Sequence, residues 1–356
     1  MKDLVLYLII ITGLVITGCS HTKELSSDHK PEDGREVNYS LIYYIHADSD
    51  YLYHNPDGKP VQENSEVLAT AFDVAESARS GEVIIFQQRR ERKVLGLFPR
   101  RSSRFFHYKN GQLINRINYR HNDKKEAFLT TEAQLMNQYQ NYIPADNHQN
   151  YFLYFGHEIP SVNGKGYHRS LPDIDVNIET FARGIQKFLL SDQHRFDLVI
   201  LSTCNNGTPE MAKLLMPFTD AMLASPQNLH LSHFYSGSLA LLEMGPGISP
   251  FYLGHLMAEQ TYERLEATVH TTITLALYNL EDVWAYIHSL TSITAGNNFA
   301  DNTLNFEDNI DCAEIALSDS ERYKNGVETW YKPARFGRQS NQQTHSGWGC
   351  KPITEK

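Results

Sequence analysis

Two short apolar segments, Tyr151-Phe-Leu-Tyr-Phe-Gly-His157 and Phe196-Asp-Leu-Val-Ile-Leu-Ser-Thr-Cys204, organise this chain. Short apolar runs that end in polar turn residues are typical of buried strands in a parallel sheet. Open parallel sheets place their functional groups just beyond the carboxyl ends of the strands. The first segment brings a histidine to that edge and the second brings a cysteine. Because an imidazole can take the proton of a neighbouring thiol, the pair predicts nucleophilic catalysis.

The rest of the chain alternates between strand-like and helix-like patterns. Strands are predicted at 39–45, 81–86, 151–156, 197–201, 220–224 and 271–278, with a hairpin at 104–108 and 112–119 around Asn110-Gly111. Helices are predicted at 65–79, 130–139, 178–190, 209–218, 250–267 and 280–290. This alternation implies helices on both faces of a mostly parallel sheet, so the predicted fold class is a three-layer α/β/α sandwich. Little regular structure is predicted beyond Ala295.

The amino terminus has the pattern of a secretion signal. Its apolar stretch, Leu4 to Ile16, is shorter than the ~20 residues that span a bilayer. The tetrapeptide Ile16-Thr17-Gly18-Cys19 resembles the lipoprotein box of bacteria. That resemblance implies a signal peptide over residues 1–18 and a lipid such as palmitate on Cys19. It also implies a membrane-anchored protein of the cell envelope, in the outer membrane if the host is Gram-negative. An ordinary signal peptide that contains a cysteine is the alternative. Polar residues 19–38 suit a flexible tether.

The four cysteines can be assigned by arithmetic in an oxidising compartment. If Cys19 carries lipid, three remain, and an odd number leaves one free thiol. Cys312 and Cys350 flank a segment rich in Gly, Asn and Ser, where a disulfide would stabilise a loop that lacks its own core. We therefore predict a Cys312–Cys350 disulfide and a free Cys204. A buried structural Cys204 is the alternative, but the following Asn205-Asn-Gly207 suits a turn.

Charge is distributed unevenly along the chain. The net charge is −10, yet residues 79–125 contain 13 Arg or Lys against 3 Asp or Glu. This basic stretch could contact acidic lipid head groups or phosphates, or it could be solvated and complement the acidic remainder. No aromatic-interleaved nucleic-acid motif accompanies it, so no nucleic-acid partner is expected. Pro160, close after His157-Glu158, is incompatible with a helical zinc motif, and no metal or other cofactor is predicted.

The order of these segments resembles the caspase-haemoglobinase clan of cysteine peptidases, and most closely the clostripain family. His157 and Cys204 follow successive strands, and three further segments agree with the family in order and spacing. These are Thr208-Pro-Glu-Met-Ala212, Met222-Leu-Ala-Ser225 and Thr272-Ile-Thr-Leu-Ala-Leu-Tyr-Asn-Leu280. The resemblance implies a caspase-like domain over residues 39–290, followed by an irregular carboxyl-terminal extension over 291–356.

The resemblance also implies a function, a cysteine endopeptidase with a protein or peptide substrate. Cys204 would be the nucleophile and His157 the general base and acid. The backbone N–H of Cys204, with one near His157, would hold the oxyanion. Two positions depart from the family: Glu158 replaces the usual Gly, and Ser202 replaces the Asp of a pocket for Arg or Lys. We expect Glu158 and Ser202 to contact the substrate. Because the Ser202 hydroxyl cannot neutralise a guanidinium, we expect a specificity altered from Arg or Lys.

Several alternatives remain open at the level of sequence. A carboxylate for a basic substrate side chain could come from Glu158, Asp173 or Asp175. The family resemblance implies activation by cleavage within a basic loop, at Lys124-Lys125 or within 165–169. The alternative function is a catalytically inactive lipoprotein that keeps the fold and binds a protein or peptide partner.

Three other histidines, His46, His168 and His233, are expected on the surface or in turns, outside the site.

Overall fold

A computed structural model describes most of the chain after residue 35. The described residues are 36–47, 52–54, 60–89, 92–94, 98–100, 103–121, 127–140, 144–168, 172–189, 194–229, 234–244, 248–285 and 323–349. Several predictions fall outside these ranges and stay predictions: the signal peptide, lipidation of Cys19, the Cys312–Cys350 disulfide, cleavage at Lys124-Lys125, and the position of His233.

Fourteen strands are present in the described residues. In chain order they are β1 (Val37–Ala47), β2 (Leu52–His54), β3 (Pro60–Gln62), β4 (Gly81–Arg89), β5 (Arg92–Val94), β6 (Phe98–Arg100), β7 (Ser103–Lys109), β8 (Gln112–Tyr119), β9 (Pro144–Phe155), β10 (Phe196–Ser202), β11 (Thr219–Ala224), β12 (Ile273–Asn279), β13 (Tyr323–Lys324) and β14 (Val327–Lys332). The α-helices are α1 (Glu63–Ser77), α2 (Thr130–Tyr139), α3 (Ile178–Gln186), α4 (Pro209–Leu215), α5 (Pro250–Thr268) and α6 (280–285).

Ten of these strands form one sheet, in the order β13-β14-β12-β11-β10-β9-β1-β4-β7-β8. The five central strands from β11 to β4 are parallel, and antiparallel strands extend the sheet at both edges. Buried side chains alternate between the two faces along each central strand. Tyr43 and Leu153 belong to one apolar cluster and Tyr44 and Tyr154 to another, and each cluster includes helical residues. The predicted α/β sandwich is therefore confirmed.

Local sequence signals explain where several helices begin. Thr208 accepts a hydrogen bond from the Met211 N–H at 3.2 Å, and Pro209 occupies the first turn of α4, as predicted. Asn177 and Thr180 form a reciprocal capping box at the start of α3. Ser249 precedes α5, a position that favours a capping serine in the sequence, but its side chain makes no capping hydrogen bond. Within the described residues, no helix is both long enough and apolar enough to cross a membrane.

The carboxyl-terminal region contributes to the sheet, contrary to the expectation of an irregular extension. Strands β13 and β14 form a hairpin around Asn325-Gly326, both at positive φ, and β14 pairs with β12. Trp330 is 3% exposed and Trp348 is 5% exposed. The Asn-Gly pair is a strong hairpin signal that the sequence carried, but the strands beside it are too short to show a clear period.

Segment 346–349 connects this region to the loop that follows β10. The Gly349 N–H donates to the Gly207 carbonyl at 2.8 Å, and the Tyr278 hydroxyl donates to the Gly347 carbonyl at 2.5 Å. The ring of Trp348 packs on that of Tyr278, with 4.7 Å between centroids. The end of the described chain therefore supports the loop that begins at Cys204.

Candidate active site

His157 and Cys204 follow neighbouring parallel strands at the same level. In the pairing of β9 with β10, Phe155 lies opposite Ser202. Each candidate residue stands two positions beyond that pair, and the Gly156 N–H still donates to the Ser202 carbonyl at 3.4 Å. Because adjacent strands are ~4.8 Å apart, this register brings the backbones of the two residues to one edge of the sheet, side by side.

Cys204 lies at a turn, is partly exposed and is not part of a disulfide. Its Sγ accepts a hydrogen bond from the Leu229 N–H at 3.3 Å. A hydrogen bond to sulfur favours the thiolate, which is the reactive form. The next residue, Asn205, has φ 54°, a left-handed conformation that Asn tolerates better than most residues. This turn follows directly on the thiol, as the sequence predicted for this segment.

The loop after β9 places the imidazole of His157 in solvent and fixes its backbone. The His157 carbonyl accepts a hydrogen bond from the Tyr167 hydroxyl at 2.8 Å. The hydroxyls of Tyr167 and Tyr154 are 2.7 Å apart, so Tyr154 can donate to Tyr167. The His157 side chain is exposed, while one other ring, that of His46, has its centroid 6.5 Å away.

His46 and His168 are buried, so the expectation of surface positions is wrong, although His168 does lie in a loop. They are 1% and 0% exposed, and their ring centroids are 4.2 Å apart. His46 lies on β1, beside β9, and the loop after His157 folds back to bring His168 against it. Burial, with contributions from His46 and His121, lowers the pKa of His168 well below its usual value.

The amide of Asn206 ties the histidine loop to the cysteine loop. Its Oδ1 accepts from the Ile159 N–H at 2.9 Å and from the Thr203 hydroxyl at 2.6 Å, and its Nδ2 donates to the Ile159 carbonyl at 3.0 Å. Asn206 is 2% exposed and Ile159 is 1% exposed. In the sequence, Asn206 is recognisable only as a turn residue. A side chain that forms hydrogen bonds with a distant backbone segment leaves no local sequence pattern.

Glu158 and Ser202, the two departures from the clostripain pattern, have different surroundings. The Glu158 carboxylate accepts a hydrogen bond from the Asn205 amide at 2.6 Å, and that amide also contacts the Asn228 side-chain oxygen at 3.3 Å. Ser202 is 1% exposed, and its hydroxyl accepts from the Phe234 N–H at 2.9 Å. Glu158 therefore lies beside Asn205, the residue after Cys204. Ser202 instead holds the backbone at Phe234 through a hydrogen bond.

The other carboxylates considered from the sequence are placed differently. Asp175 accepts from the Gly164 N–H at 2.7 Å and so shapes the loop itself. Asp173 is exposed. In the described part of the chain, no three His, Cys, Asp or Glu side chains are grouped as ligands for a metal ion.

The sheet order and the paired strand ends define a caspase-like α/β sandwich, the fold of the C11, or clostripain-family, cysteine proteases. A secreted C11 cysteine protease from Bacteroides thetaiotaomicron, "iotapain", superposes with a TM-score of 0.52 at 11% identity, covering 74% of this chain and 73% of that one. A secreted C11 cysteine protease from the same organism, in complex with an irreversible peptide inhibitor, gives 0.52 and 11%, covering 72% and 70%. No protein-family model and no curated protein matches the sequence.

Proposed function

We propose that this protein is a cysteine endopeptidase in which Cys204 is the nucleophile and His157 the general base and acid. The observation that carries the proposal is the register of β9 and β10, which places both residues two positions beyond a directly paired Phe155 and Ser202. The partial exposure of Cys204 and the exposure of His157 leave room for a substrate at this edge. The likeness to C11 proteases supports the fold on which such a site is built.

The proposed reaction proceeds through a thioester. His157 takes the proton of the Cys204 thiol. The sulfur then attacks the carbon of the scissile carbonyl, and the electrons of the C=O π bond move to the carbonyl oxygen. The tetrahedral intermediate collapses, the C–N bond breaks, and the imidazolium gives its proton to the leaving amine. Water then gives a proton to His157 and attacks the thioester carbonyl carbon. The C–S bond breaks, the carboxylic acid product leaves, and the sulfur takes the proton back from the imidazolium. The Cys204 N–H is the proposed oxyanion donor; one such donor is typically worth about 3 kcal/mol of transition-state stabilisation.

Glu158 is the proposed determinant of an altered substrate preference. Its carboxylate is held by Asn205, so its negative charge adjoins the peptide link that follows Cys204. Ser202 is buried and accepts a hydrogen bond from the Phe234 N–H, so it is proposed to act on specificity only through the segment that begins at residue 234. We therefore expect the Glu158→Gln variant to change the ranking of substrates, while Ser202→Ala changes stability more than ranking.

A peptide library tests the proposal directly. The full chain, kept in detergent micelles because of its apolar amino terminus, is incubated with the library beside Cys204→Ala and His157→Ala. We expect cleavage by the wild type and at least about a thousandfold loss in each variant, since nucleophile and base act as one unit. Cleavage that persists in Cys204→Ala would refute the mechanism. A wild-type chain that binds peptide without cleaving it would favour the alternative, a non-catalytic peptide-binding protein.

Anchoring at Cys19 is a separate proposal with its own test. It rests on the Ile16-Thr17-Gly18-Cys19 motif alone. Intact-mass measurement of chain purified from membranes should show loss of residues 1–18 and the added mass of a lipid on Cys19. A Cys19→Ala variant that still loses residues 1–18, still carries the added lipid mass and still associates with membranes would overturn it.

A further inference from the structure

Beside His157, on the strand next to its own, lies a buried histidine to which the reaction described above gives no role. His46 belongs to β1, which pairs with β9 in parallel up to Ile45 opposite Phe155. His46 is 1% exposed, and its ring centroid lies 6.5 Å from that of His157 with the planes at 79°. An edge-to-face arrangement at this separation is a favourable contact between rings.

We propose that His46 is a positioning residue for His157, acting as a fixed ring against which the imidazole of His157 packs. This inference rests on the proposed function, because it needs His157 to act on Cys204. His157 is exposed, so protein does not enclose its side chain on every side. A rigid ring on one side reduces the number of orientations available to it. An imidazole held near its working orientation transfers protons faster, since a displacement of ~1 Å at a reacting group can cost about a hundredfold in rate.

His46 is itself held in place from two directions. The ring of Tyr167 stacks on it, with 5.2 Å between centroids and 28° between planes, and the ring of His168 meets it edge-on at 4.2 Å. Tyr167 also donates its hydroxyl to the His157 carbonyl. The loop after β9 thus fixes His157 twice, through its backbone and through the ring of His46.

Aromatic rings pack against His46 from several sides. Among the described ring contacts, the titratable partners are His157, His168 and Tyr167. Phe128, on the segment before α2, packs on the far side of His168 at 5.4 Å. A ring that works by packing can be replaced by another ring, whereas a ring that works by proton transfer cannot. His46→Phe is therefore the informative variant.

The test compares three variants of the full chain: His46→Ala, His46→Phe and the matched control His148→Ala. His148 lies within β9, near the end of the strand opposite to His157, and its ring nitrogens contact the Val37 carbonyl and the Ser40 hydroxyl. We expect His46→Ala to lose about 10- to 100-fold in kcat with little change in KM, and His46→Phe to stay within about threefold of wild type. His148→Ala should keep its kcat. If His46→Ala does not fold, His46→Gln, which fills the space without a ring, replaces it.

A second readout separates this inference from the proposed function. The rate at which iodoacetamide alkylates Cys204 is followed from pH 5 to 9 in the wild type, in His157→Ala and in the His46 variants. An imidazole that pairs with the thiol extends alkylation to lower pH than the ~8.5 of an isolated thiol. If wild type and His157→Ala share one profile, the dyad itself fails. If the profiles of wild type and His157→Ala differ but His46→Ala has the wild-type profile, only the role of His46 is overturned. The same conclusion follows if His46→Phe loses as much kcat as His46→Ala.

Discussion

Replacing Asn206 tests whether one buried amide holds the two halves of the proposed active site together. Asn206→Ala removes three hydrogen bonds, two to the backbone of Ile159 and one to Thr203. Each is worth about 1 kcal/mol net, and a buried backbone group left without a partner costs about 1–3 kcal/mol. The Thr203 hydroxyl can rotate, but the Ile159 groups cannot leave the core. We expect about 4 kcal/mol of lost stability, or about 5–6 °C in Tm for a chain of this size.

The assay is thermal unfolding followed by tryptophan fluorescence, with initial peptidase rates measured well below the transition. Asn228→Ala is the matched control, because Asn228 is exposed and its side-chain oxygen accepts a hydrogen bond from the amide of Asn205. It should change stability by less than about 0.5 kcal/mol. Peptide cleavage by Asn206→Ala should fall even where the variant is folded, since the Ile159 backbone follows His157 by two residues. If Asn206→Ala lowers the free energy of unfolding by less than about 1 kcal/mol, the proposed role of Asn206 in joining the two loops is refuted.

Asn206→Asp separates the accepting oxygen from the donating nitrogen. The retained oxygen can still accept from Ile159 and Thr203, but the second oxygen faces the Ile159 carbonyl. A buried carboxyl in that position is expected to have a raised pKa, because only its protonated form can donate there. A raised pKa makes the folded state bind protons more tightly, so stability is lost as pH rises above about 4. We expect Asn206→Asp to approach wild type near pH 5 and to fall furthest behind at pH 8.

Three further outcomes follow from buried groups away from the dyad. Burial raises the pKa of Asp197 to about 6, so the free energy of unfolding should fall as the pH rises from about 4 to 6. Thermal melts of the Asp197→Asn variant over this pH range should lack the decline. Burial lowers the pKa of His345 to about 4, so stability should be lost as pH falls from about 6.5 to 4, and His345→Gln should flatten that limb. Trp348→Ala should cost about 3–5 kcal/mol and slow cleavage, whereas unchanged melting would place segment 346–349 outside the folded domain.

The positions of the strands and helices were predictable because the chain's periodicities are strong. The central strands carry four or more consecutive buried apolar residues, and helix α3 carries an inward face with Phe181 and Ile185. A strand that is buried on both faces needs apolar residues at every position, and such a run is visible directly in the sequence. The hairpin β13–β14 was missed for the opposite reason: its strands are two and six residues long. Their stability comes from pairing with β12, which no local window contains.

The two residues of the proposed dyad stand out in the sequence, but the contacts that surround them do not. His157 and Cys204 are marked by the strands that precede them. Their neighbours are set by contacts over long sequence distances: His46 lies over a hundred residues before His157, and Asn206 reaches 47 residues back to Ile159. A histidine in a loop, such as His168, looks exposed in sequence because nothing local shows that a sheet edge will cover it.

These contacts give the departure at Glu158 a physical explanation. A glycine at this position would leave the Asn205 amide without the carboxylate that it now contacts at 2.6 Å. The hydrogen bond to the amide draws the charge of Glu158 toward the turn after Cys204 and links the two loops on the solvent side. Asn206 links the same loops on the buried side. Glu158 therefore serves loop geometry as well as charge, and a Glu158→Gly change, made to restore the family pattern, is expected to loosen the loops rather than raise activity.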